Sequence, residues 1–101
     1  MEEQRRVAMF VERYDLETPP AFRLLDLVSE LGEVAKNATE STDYGDGPDA
    51  LTLDSDEVGD VLFALLALAD SADVDAGDAL DEALSKYERR LEDANTPASG
   101  E

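Results

Sequence analysis

The stretch Asp56-Glu57-Val58-Gly59-Asp60-Val61-Leu62-Phe63-Ala64-Leu65-Leu66-Ala67-Leu68-Ala69 decides the fold. From Val61 to Ala69 every residue is apolar, so a helix built from it has no polar face for water and is expected to be buried on all sides. The run is far shorter than the roughly 20 residues that span a bilayer. The burial it calls for is the centre of a helix bundle or an interface between copies of the chain. Asp54 or Ser55 can cap the free N–H groups where this helix begins.

Working outward, three more helical segments flank it and no stretch reads as a strand. Residues Glu2 to about Tyr14 repeat Val7, Phe10, Val11 and Tyr14 at helical spacing. Thr18-Pro19-Pro20 then interrupts the chain, because proline suits a first helical turn but not a helix interior. A second helix is expected from Pro20 to about Thr39, with Leu24, Leu27, Val28, Leu31, Val34 and Ala35 as its apolar stripe. Residues 41–53, rich in Asp, Gly and Pro, read as a loop. After a turn at Ser71 to Asp75, a fourth helix is expected from about Ala76 to Asp93, its inner face formed by Leu80, Ala83, Leu84, Tyr87 and Leu91. The expected fold class is therefore all-α: a four-helix bundle-like domain over residues 1–94, completed by oligomerisation, with residues 95–101 a flexible tail.

Charge narrows the range of functions. The 101-residue chain carries 26 acidic and 8 basic residues, a net charge of -18. Such a surface repels phosphate backbones and anionic lipid, so neither nucleic acid nor membrane is an expected partner. Adaptation to a high-salt cytoplasm accounts for the acidity as a whole, since counterions screen the self-repulsion. Cysteine and histidine are both absent, which excludes disulfides, thiolate chemistry, Ser-His-Asp triads and the usual zinc sites. With no signal-peptide pattern and no membrane-length apolar run, a cytoplasmic protein is expected.

One acidic pattern occurs twice. Ser29-Glu30-Leu31-Gly32-Glu33-Val34 parallels Asp56-Glu57-Val58-Gly59-Asp60-Val61, each copy placing two carboxylates at i and i+3 on one helix face. The spacing alone says little, because Glu12/Asp15 and Asp75/Asp78 share it. The setting says more. Glu57 and Asp60 lie on the face continued by Val61, Ala64, Ala67 and Leu68, so they are expected to point inward. Buried like charges persist only with protons, basic partners or a cation. Glu30 and Glu33 sit at the edge of their apolar stripe, free to face bundle or solvent. Glycine within a helix costs about 1 kcal/mol relative to alanine, so Gly32 and Gly59 suggest close approach of another helix or a ligand. Four carboxylates brought together from two helices suit a hard divalent cation.

The string Glu30-Leu-Gly-Glu33, then Glu57-Val-Gly-Asp60-Val-Leu-Phe, and later Lys86-Tyr87-Glu88-Arg89-Arg90 closely resembles the MazG-like nucleotide pyrophosphohydrolases. The resemblance runs from about Phe22 to Leu91. It implies an all-α protein that pairs as a homodimer or homotetramer, with helices of more than one subunit completing the bundle. It also implies magnesium-dependent hydrolysis of nucleoside triphosphates to the monophosphate and pyrophosphate, with house-cleaning of noncanonical nucleotides as one role open to such an enzyme. Mn2+ is a conceivable substitute for Mg2+. Glu30, Glu33, Glu57 and Asp60 are the implied metal ligands, with Glu30 or Glu33 activating the attacking water. Ser29 stands where many members of the family carry a further glutamate, which leaves the first metal position with fewer ligands.

Phosphate also needs positive charge. Lys36 follows Glu33 by one helical turn, and Lys86 and Arg90 share a face of the last helix, making these three the candidate substrate-binding residues. Arg89 is less well placed, Tyr87 reads as core, and Asn37 reads as an exposed helical polar residue, with nucleotide contact as its alternative. Two alternatives share the pattern: a phosphoribosyl-ATP pyrophosphohydrolase-like enzyme, and a non-catalytic acidic helical interaction protein.

Overall fold

The computed structural model describes residues 1–94; the expected tail at 95–101 lies outside the described residues. The described chain is all-α, with helices α1 (Glu2–Arg13), α2 (Pro20–Ser41), α3 (Ser55–Ser71) and α4 (Ala76–Ala94). A single 3-10 turn, Pro48–Ala50, interrupts the loop between α2 and α3. No helix among the described residues is long and apolar enough to cross a membrane.

Local chemistry accounts for the boundaries. Pro20 opens α2 at a position where its missing N–H is no loss. At the other end the Ser41 hydroxyl donates to the Ala38 carbonyl at 2.7 Å and the Thr42 hydroxyl to Thr39 at 2.9 Å, adding to the Thr42 and Tyr44 N–H groups that the same two carbonyls accept. Asp43, Tyr44 and Gly45 then take positive φ and turn the chain away. Asp54 occupies the N-cap of α3 in an extended conformation, but its side chain makes no capping hydrogen bond. The cap of α4 is complete: Asp75 Oδ1 accepts from the Asp78 N–H at 2.9 Å.

α3 is the axis of the molecule. α2 lies along it, α1 covers a second side, and α4 touches it least. The buried residues are Val11 of α1, Ala64, Leu66 and Ala67 of α3, and Arg23 of α2. Phe10 meets Phe63 edge-on, their ring centroids 5.8 Å apart. Gln4 fixes α1 to the α3–α4 turn, donating to the Val74 carbonyl and accepting from the Ala76 N–H, both at 2.7 Å.

Three expectations about faces need correction. The all-round burial expected of Val61–Ala69 does not occur within one chain, where Leu62 and Leu65 remain 46% exposed. The residues of α2 that turn toward its neighbours are Arg23, Leu27, Glu30, Val34, Ala38 and Ser41, so only Leu27 and Val34 of the expected stripe face inward. Leu24, Val28, Leu31 and Ala35 face outward. The apolar arc of α2 is wider than one neighbouring helix can cover, and α3 takes the edge that carries Glu30. On α4, Leu80, Leu84, Tyr87 and Leu91 all stay exposed. The radius of gyration is 17.6 Å, against about 13 Å for a compact domain of about 100 residues.

Candidate metal centre

The seam between α2 and α3 brings the two acidic motifs together. Glu30, on the inward edge of α2, and Asp60, near the start of α3 and exposed rather than turned inward as expected, line one cleft of about 320 Å³ with Arg23, Asp26, Phe63 and Ala64. Glu30 is half-buried. That burial, then the like charges of Asp60, Glu33, Asp26 and Asp56 in decreasing order, push its carboxyl above the usual glutamate range. Every one of these influences favours the proton, and a divalent cation would relieve the same repulsion.

The second motif member is held separately. Glu57 is half-buried, and its Oε1 accepts a hydrogen bond from the Asn37 side-chain amide, reaching from α2 to α3. Asn37 is exposed, as its sequence reading expects, and it makes a cross-helix contact to a candidate ligand. Glu33 is exposed and outside the cleft wall, close enough to act on Glu30 by its charge. Among the described residues, no three acidic side chains are gathered as they stand into a group that could hold an ion. The donor set nevertheless suits a hard cation: carboxylate oxygens on facing helices, concentrated enough to push the Glu30 carboxyl above the usual glutamate range.

The basic residues are arranged otherwise. Lys36, Lys86 and Arg90 are exposed and none lines the cleft. Lys86 and Arg90 do share a face, flanking the Tyr87 ring at 5.1 and 5.9 Å. Tyr87 is half-exposed rather than core. The cation in the cleft is Arg23, which sequence reasoning missed. Its signal was present, since a lone basic residue in Phe22-Arg23-Leu24-Leu25 stands two helical turns before Glu30 and therefore on the same face. Gly32 and Gly59 have nothing within 4 Å of where a Cβ would lie, so no neighbour within the chain requires either glycine.

The family model for the MazG nucleotide pyrophosphohydrolase domain matches residues 18–94, the segment containing both acidic motifs and the cleft. The chain belongs to the MazG nucleotide pyrophosphohydrolase family. A relative, the uncharacterized protein YpjD of Bacillus subtilis (strain 168), is 34% identical over 96 residues, covering 91% of this chain and 82% of YpjD. No solved structure matches the chain. Nucleotide pyrophosphohydrolase chemistry characterises the MazG family, and divalent-metal dependence is general among its enzymes.

Proposed function

We propose that this chain is a magnesium-dependent nucleoside triphosphate pyrophosphohydrolase that works as a homo-oligomer. The observation that carries the reading is the cleft lined by both Glu30 and Asp60 at the α2–α3 seam of a MazG-family domain. Glu30, Glu33, Glu57 and Asp60 would hold the metal, and Asn37 orients Glu57 for it. Bound magnesium would neutralise the triphosphate and lower the pKa of a coordinated water.

The chain's own carboxylates supply the rest. Glu30 and Glu33 divide two tasks, holding the ion and taking the proton of the water that attacks the α-phosphorus. Lys36, Lys86 and Arg90 supply positive charge to the phosphates. The last two lie on α4, whose exposed apolar face gives it a reason to pack against another copy.

The test is a panel of canonical and noncanonical nucleotides, including phosphoribosyl-ATP, assayed for pyrophosphate release with and without magnesium and manganese at several salt concentrations. Water labelled with heavy oxygen should deliver its label to the monophosphate. Glu33→Gln and Asp60→Asn should remain folded and lose the activity; equal turnover in them would sink the site assignment. Failure of the wild type to bind magnesium or nucleotide would instead favour a non-catalytic acidic helical protein.

A further inference from the structure

Arg23 is the one charged residue among those described that is buried. Its side chain keeps 10% of its surface exposed. It forms part of the wall of the acidic cleft and of a second cavity of about 240 Å³ lined also by Val11, Glu17, Thr18 and Asp70. A guanidinium has five N–H donors. One nitrogen, Nη2, donates to the Leu16 carbonyl. The other, Nη1, stands 3.9 Å from an Asp26 carboxylate oxygen, beyond hydrogen-bond length, and Asp26 is 61% exposed. The fold leaves much of this buried donor set without a close acceptor, and buried donors without acceptors are costly.

The cleft therefore presents guanidinium donors and carboxylates in the same small space. The carboxylates repel a simple anion, and Arg23 repels a simple cation. A ligand that is anionic and carries a divalent cation with it satisfies both. We propose that Arg23 is a substrate-binding residue that receives non-bridging oxygens of a magnesium-bound polyphosphate in this cleft. The inference rests on the pyrophosphohydrolase reading for the identity of the substrate. Among the described residues Arg23 is the only basic one lining the cleft, and its planar fork matches phosphate oxygens in a way an ammonium does not.

The experiment is calorimetric titration of the full chain with inorganic pyrophosphate and tripolyphosphate in magnesium buffer, alongside KM and kcat for a nucleoside triphosphate. Arg23→Gln is expected to weaken tripolyphosphate binding at least tenfold and to raise KM more than it lowers kcat. Arg23→Lys, which keeps the charge and loses the fork, should weaken it several-fold with a near wild-type melting temperature. Asp26→Asn should strengthen it by removing the competing carboxylate. Tripolyphosphate affinity within twofold of wild type in folded Arg23→Lys overturns the proposal and leaves Arg23 as a fold residue, even where Arg23→Gln fails to fold. Pyrophosphate release that Arg23→Lys leaves unchanged refutes the role of Arg23 alone. Polyphosphate binding through Arg23 without pyrophosphate release from any nucleotide refutes the pyrophosphohydrolase reading alone.

Discussion

Glu30 of α2 and Asp60 of α3 share the wall of one cleft, and Asp60 is the strongest like charge acting on Glu30. Because the Glu30 carboxyl is raised in the folded chain, its ionised form opposes folding. That penalty is absent at low pH, where Glu30 is protonated folded and unfolded, and grows as pH rises from the unfolded value through the folded one. Asp60→Asn should lower the Glu30 titration midpoint and raise the melting temperature near neutral pH in the absence of divalent ions. The same variant should bind magnesium at least tenfold more weakly. Carboxyl NMR titration and melting curves with and without magnesium check both halves, and a lower ion-free melting temperature would contradict the repulsion.

The Asn37 amide joins α2 to Glu57 on α3 across the seam. Both ends belong to the surface half of the structure rather than to its core, so losing the bond should disturb Glu57 more than the fold. Outer contacts that orient a metal ligand are commonly worth about 10–100-fold in ion affinity or activity. Asn37→Ala is therefore expected to weaken magnesium binding by about tenfold while leaving the far-ultraviolet circular dichroism unchanged. Ion titration of the variant decides it.

Asp75 works in the opposite sense to Glu30. The Asp78 N–H that it caps, outweighing a smaller desolvation penalty, holds its carboxyl below the usual aspartate range, with the N-terminal amine and the Gly77 N–H helping. A lowered pKa contributes stability that is present above the unfolded value and lost as pH falls through the folded one. Asp75→Ala should lower the melting temperature at neutral pH, and the gap from wild type should close as the buffer is acidified below the ordinary aspartate range. A gap independent of pH would show that packing, not the ionised cap, holds the start of α4.

Gly32 and Gly59 make a separate case. Each sits inside a helix with open space where its Cβ would be, so replacement by alanine gains helix propensity and meets no clash within the chain. Gly59→Ala should stabilise the chain by about 0.5–1 kcal/mol in urea unfolding. Impaired activity in this more stable variant would mean that substrate or another copy needs the space.

The helices themselves were legible largely from the breaks between them: Pro20 at the start of α2, the Asp- and Gly-rich loop before α3, and Asp75 capping α4. The meeting of Glu30 with Asp60 was legible only as a resemblance and as suitable chemistry. Periodicity shows that Leu24, Val28 and Leu31 share a face, but not whether α3 or something outside the chain covers it. That is why α2 lies rotated from its expected stripe, with Glu30 inward and Leu31 outward. Arg23, and the contact that Asn37 makes with Glu57, escaped notice for a related reason. A polar residue at helical spacing from an acidic motif becomes informative only once the facing helix is known.

The uncovered faces carry the last prediction. Val28 and Leu31 on α2, and Leu80, Leu84 and Leu91 on α4, are each about half exposed or more, and fully burying a side chain of this kind is worth about 1.5–3 kcal/mol. Together with the extended 54 × 37 × 22 Å shape, they call for a second copy. Light scattering should return a mass that is a multiple of 11.0 kDa. Leu84→Asp should shift it to the single-chain value without unfolding α1, α2 and α3, whose core does not include Leu84. A single-chain mass for the wild type would contradict the assembly. Lys86 and Arg90 lie on the same helix as Leu84, whereas Glu30, Glu57 and Asp60 lie on α2 and α3. If α4 of one copy supplies phosphate contacts to the cleft of another, Leu84→Asp should weaken nucleotide binding strongly and magnesium binding little. Equal losses of both would show instead that assembly shapes the carboxylate cleft itself.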